Sequence, residues 1–165
     1  MIRYALTGGQ QDGMTISAIV RSAQSSGGGP IPRIASGEAV NVRQSEYGLI
    51  RLTAETEKLL ATPLITCAGV VFASTDGAAS PIAAVYHAGG GYVDPRVLSS
   101  IWRDIGQPAP ASLLVLYAMP NPIDEGYSGD IRTLETFGIP SNQVVCIERW
   151  PTSSFGINSH GQVGY

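Results

Sequence analysis

Charge is scarce in this chain of 165 residues, with only 14% Asp, Glu, Lys or Arg, where a soluble domain usually carries about a quarter. Its surface must therefore be dressed mainly with Ser, Thr, Asn, Gln and Gly. The formal net charge is −3 and no basic patch stands out, which argues against a nucleic-acid binder that works by neutralising phosphates. Lysine is almost missing: Lys58 stands beside nine arginines. A high-GC genome accounts for that bias, since Ala, Gly and Pro are also abundant. Work inside a eukaryotic cell, where few lysines mean few ubiquitin attachment sites, accounts for it as well. Two cysteines and two histidines are too few for a disulfide framework or a zinc spacing, and no Cys-x-x-Cys pair occurs. No apolar run approaches the ~20 residues of a membrane span, and the N-terminus lacks a basic-then-apolar leader. The expectation is no membrane insertion, with the protein either in the bacterial cytoplasm or delivered into a host cell. Neither a Gly-x-Gly-x-x-Gly turn nor a P-loop is found. Length fits one domain over 1–165, able to bury a core without staples.

The first 45 residues carry the weakest pattern. Ile2–Leu6 and Thr15–Arg21 read as strands, and Ser25–Pro32, with its run of three glycines, reads as a mobile loop. Ala54–Ala61 holds helix formers and stops before Pro63. Leu64–Ala73 and Ile82–His87 are apolar runs around the turn Ser74-Thr-Asp-Gly-Ala, hence a β-hairpin. Asp94 and Pro95 open a helix that ends at Gly106, with Val97, Leu98, Ile101, Trp102 and Ile105 at helical spacing. Ser112–Ala118 is a buried strand, and Ser128–Phe137 a helix capped by Ser128 and stopped by Gly138. Gln143–Arg149 and Ser154–Ile157 are strands, and Ser159–Tyr165 a turn plus an edge. Strands come paired before helices intervene. This predicts an α+β layered sandwich, with a mixed, mainly antiparallel sheet core flanked by helices, rather than a Rossmann repeat.

The predicted hairpin places Cys67 at the start of one strand and His87 at the end of the next, so both fall at one end of the sheet. A cysteine nucleophile needs a base within hydrogen-bond reach, and the base needs a third group to orient its ring. The glycines after His87 leave room for a substrate. A buried structural cysteine near an unrelated histidine is the other reading of that spacing. Cys146, in the apolar run 143–148, reads as a small hydrophobe, and His160 as a surface turn residue.

Cys67, His87 and the Tyr92-Val93-Asp94 segment opening the next helix, followed by Gly138-Ile139-Pro140 and His160-Gly161-Gln162-Val163, resemble the CheD-like chemoreceptor glutamine deamidases. Their superfamily includes the cytotoxic necrotizing factor catalytic domains and the Burkholderia lethal factor type of toxin. The resemblance runs from about Thr62 to Val163 and leaves 1–45 poorly matched. It implies a CheD-like fold and a protein deamidase acting on a Gln or Asn of a target protein, in which Cys67 attacks and His87 moves protons. No metal or organic cofactor is implied. Two departures stand out. Ile65-Thr66 precede the cysteine where the family has glycine. Ala61 occupies the place of an orienting Thr, so that Thr62, Thr66 or a backbone carbonyl takes that part. The missing family glycine and the single lysine favour an effector or toxin over a chemoreceptor deamidase. Transglutamination and a non-catalytic protein-binding module on the same fold are the other expectations.

Overall fold

The computed structural model describes residues 1–34, 37–53, 56–75, 81–120 and 124–165. In chain order the elements are β1 (Ile2–Arg3), β2 (Ala5–Asp12), α1 (Ile16–Ser26), β3 (Gly28–Arg33), β4 (Glu38–Val42), β5 (Tyr47–Arg51) and β6 (Glu57–Ala61). They continue with β7 (Ala68–Ser74), β8 (Ile82–Ala88), α2 (Pro95–Asp104), β9 (Leu113–Met119), α3 (Asp124–Thr136), β10 (Val144–Glu148), β11 (Phe155–Asn158) and β12 (Val163–Gly164).

A six-stranded sheet runs β1-β10-β9-β7-β8-β5, a four-stranded sheet β12-β11-β6-β4, and a pair β2-β3. β7 and β9 lie at its middle, and their apolar residues are buried on both faces, as central strands require. One face, with Val70, Phe72, Tyr86 and Tyr117, packs against Leu98 and Ile101 of α2 and Leu134 of α3. The other, with Val71, Val85 and Leu116, packs against Leu59 of β6, Phe155 of β11, and Ile19 and Val20 of α1. The chain is therefore α+β, with mixed sheets and three helices among the described residues. The expected predominance of antiparallel pairing is slight. Four of the described ladders are parallel and five antiparallel.

Local signals account for most elements. Asp94 accepts from the Arg96 N–H at 2.9 Å and caps α2, whose first residue is Pro95. The hairpin of β7 and β8 forms as expected. Three expectations fail. Thr15–Arg21 is not a strand: Thr15 caps α1 by accepting from Ala18 N–H at 3.2 Å, and Ile16, Ile19, Val20 and Ala23 bury one helical stripe. Ser25–Pro32 is not a loop. It completes α1, turns at Gly27 with φ 72°, and pairs as β3 with β2. Ala54–Ala61 is no helix where described. Glu57–Ala61 is strand β6, held between β11 and β4, and this pairing overrides a helix-forming composition. Residues 54–55 and 76–78 of the expected helix and turn lie outside the described residues. α3 starts earlier than expected, leaving Ser128 inside it. Among the described residues, no helix is long and apolar enough to cross a membrane.

Candidate functional site

His87 and Cys67 meet at one end of the large sheet because of the β7–β8 register. Gly69 pairs with His87, and Cys67 lies two residues before Gly69, so pleating puts it on the same face as the imidazole. That face looks toward the four-stranded sheet, and Cys67 belongs to the same apolar layer as Val71, Ala83 and Val85. Gly69 contributes no side chain between the two. The space beside it is taken by Leu64 and Phe155, to which an added Cβ would come within 3.1 and 3.0 Å.

The wall opposite is formed where β4 and β6 end together, with Val42 in register with Ala61. Residues 43–44, 62–63 and 65–67 leave those ends and, with His87, line a cleft of about 340 Å³. The loop after β6 is anchored by Leu64 N–H donating to the Ser153 carbonyl at 2.7 Å. The segment after β4 wraps His87. Ser45 N–H donates to the His87 carbonyl at 2.8 Å, and His87 N–H donates to the Glu46 carbonyl at 3.0 Å. Ser45 holds φ 66°, a left-handed conformation uncommon outside glycine.

The imidazole is 1% exposed. Its Nδ1 lies 2.9 Å from the Val42 carbonyl oxygen. A carbonyl can only accept, so Nδ1 carries the proton and Nε2 presents its lone pair. Nε2 is buried with no hydrogen-bond partner among the described residues. The orienting part expected of Thr62 thus goes, at Nδ1, to a backbone carbonyl. Thr62 itself, half-buried, lines the same cleft. Cys67 is a free, buried thiol on that lining. Thiol and unpartnered nitrogen belong to residues that line one cleft, with no hydrogen bond between them in the structure.

Cys146, the other cysteine outside any disulfide, is buried on the opposite face of the sheet among the residues that meet α2 and α3. That side holds a second buried ionisable group. Asp130 accepts from the Tyr117 hydroxyl and from the Val93 N–H. Burial pushes its carboxyl above the usual range, against the pull of those two hydrogen bonds. The Tyr92-Val93-Asp94 segment is thereby explained as structure: Val93 ties to α3 and Asp94 caps α2. His160 is an exposed turn residue whose N–H donates to Asn158 Oδ1 at 3.0 Å. A groove of about 510 Å³ between α2 and α3 is larger, but its described lining has neither Cys nor His. Among the described residues, no three His, Cys, Asp or Glu side chains gather as a metal site.

Sequence reading missed Val42, Arg43 and Gln44. Their position beside His87 depends on a pairing between distant strands that no local pattern announces.

No protein-family model and no curated protein matches the chain. Solved structures do resemble it. YlmD from Geobacillus stearothermophilus is 13% identical, with a TM-score of 0.39, over 87% of this chain and 62% of that one. The hypothetical protein YfiH of Bacillus licheniformis is 13% identical, with a TM-score of 0.39, over 56% and 50%. The Neisseria meningitidis DUF152 protein NMB0706 is 12% identical, with a TM-score of 0.37, over 90% and 63%. The chain thus spans between 50% and 63% of these proteins' own lengths. At such scores the likeness carries no inference about activity. It does correct the expected family: the neighbours are YfiH, YlmD and DUF152 proteins, not CheD-like deamidases. The protein-deamidase function and the effector or toxin reading built on that resemblance are withdrawn with it.

Proposed function

We propose that the Cys67–His87 cleft is a site of thiolate chemistry, in which Cys67 bonds covalently to an electrophilic carbon of a small ligand. The observation that carries this is the hydrogen bond from His87 Nδ1 to the Val42 carbonyl, which leaves the buried Nε2 lone pair without a partner among the described residues, at a cleft that Cys67 also lines. A buried polar atom without a partner costs roughly 1–3 kcal/mol, and such a cost is tolerated most readily where the atom has work to do. In the reaction, the Cys67 S–H proton passes to Nε2. The sulfur electron pair forms the S–C bond, and the carbon's leaving group departs with its bonding pair. The resulting imidazolium keeps its Nδ1–H on the Val42 carbonyl. Thr62 and Thr66 supply hydroxyls at the rim.

The test is labelling by iodoacetamide, with the modified residue mapped by mass spectrometry. Cys67 should label faster than a free small thiol at neutral pH, and His87→Ala should remove that advantage. Labelling no faster than the small thiol overturns the reading and leaves Cys67 a packing residue.

A further inference from the structure

The cleft around Cys67 has a charge opposite to that of the whole molecule. The chain carries a formal net charge of −3, yet the described lining holds the guanidinium of Arg43 and no carboxylate. Arg43 makes none of the ion pairs found among the described residues. Its position is built rather than incidental. It follows Val42, whose carbonyl holds His87 Nδ1, and precedes Gln44 and Ser45, the latter bonded to the His87 backbone. Gln44 is seated against Gly89, where an added Cβ would come within 3.0 Å of its Cγ and 3.1 Å of its Nε2. The segment that orients the base therefore also delivers a cation and an amide to the mouth of the same cleft. Thr62 and Thr66 stand on the facing loop.

We infer that this cleft selects a compact electrophile bearing a carboxylate, held by Arg43 while the neighbouring carbon meets Cys67. The inference rests on the thiolate reading above. A guanidinium offers two parallel N–H donors that match the two oxygens of a carboxylate. Gln44 adds N–H donors, and the threonine hydroxyls add others. No helix N-terminus lies on the described lining to serve the three oxygens of a phosphate. A volume of about 340 Å³ suits a small molecule.

Iodoacetate and iodoacetamide form an S–C bond to the same kind of carbon, expel iodide and leave the thiol proton on His87; they differ in carrying a carboxylate or an amide. The measured quantity is the ratio of their labelling rates at Cys67, compared with the same ratio for N-acetylcysteine. Thiolate fraction cancels in that ratio. It should exceed the small-thiol value by about tenfold, the discrimination that one charge-assisted pair commonly supplies. Arg43→Gln should return it to the small-thiol value, and Arg43→Lys should keep a part of it. Added salt should lower the ratio in the unsubstituted protein but not in Arg43→Gln. Rapid iodoacetamide labelling with a ratio equal to that of N-acetylcysteine overturns the carboxylate inference and leaves the thiolate reading standing. Slow labelling by both reagents overturns the thiolate reading, and this inference falls with it.

Discussion

His87 and Asp130 are buried almost equally, at 1% and 2% exposure, on opposite sides of one sheet, and the fold treats them in opposite ways. Asp130 faces the helices and receives two donors, from Tyr117 and Val93. His87 faces the second sheet, and only one of its two nitrogens has a partner among the described residues. The helical side closes its polar account and holds α3, β9 and the start of α2 together. The other side opens at the strand ends into a cleft and leaves a lone pair there. Burial alone therefore does not distinguish the two residues; the state of each hydrogen-bonding atom does. The cysteines divide along the same line, Cys67 at the cleft and Cys146 under the helices.

The contrast is most easily broken at Asp130. Asp130→Ala removes the buried acceptor of the Tyr117 hydroxyl and the Val93 N–H, and should lower unfolding free energy by about 3 kcal/mol in urea titration. Iodoacetamide labelling of Cys67 in the folded variant should persist. A loss of labelling as large as the loss of stability would show that the two sides are not independent. The converse substitution, His87→Ala, should slow that labelling by about a hundredfold, the scale of general-base assistance. Gly69→Ala probes the boundary between the two. Its Cβ would press on Phe155 and Leu64, so chemical denaturation should show a cost of about 1–2 kcal/mol from overpacking.

The smallest effect is a pH dependence. Burial holds the Asp130 carboxyl above its unfolded value of about 3.9, so folding favours the protonated form. Its contribution is complete below that unfolded value and is lost as pH rises through the raised folded one. Asp130→Asn has no such step. Relative to the variant, the unsubstituted protein should lose stability as pH rises above about 4. Equal slopes would show that the carboxylate ionises in the fold as freely as in the unfolded chain.

What could be read from the chain was what is local. The cap at Asp94, the helical stripe from Val97 to Ile105 and the apolar runs of the hairpin each carry a signal within a few residues, and the hairpin placed Cys67 and His87 at one sheet end. The failures share a different cause. β6 has a composition suited to helix, and its partners come from 38–42 and 155–158, too distant for any window to include. The glycines of 27–29 looked like linker chemistry, but Gly28 sits against Ala5, where an added Cβ would come within 2.1 Å of the carbonyl oxygen. Gly28 is there for close strand approach, and Gly27 for the left-handed turn that ends α1. The same distance hid Val42, Arg43 and Gln44 from any account of the cleft, and a resemblance of short motifs between 62 and 163 named the wrong family.

The acceptor that sets the His87 ring is a main-chain carbonyl at the end of β4. Every amino acid carries that atom, so replacing the Val42 side chain does not delete it. What must be inherited is the path of the backbone from β4 through the left-handed residue at Ser45 into β5. A relative could keep the same protonation pattern on its imidazole while sharing no residue type along this stretch. The trait is stored as a shape of chain, tolerant of substitution and vulnerable to a one-residue insertion or deletion.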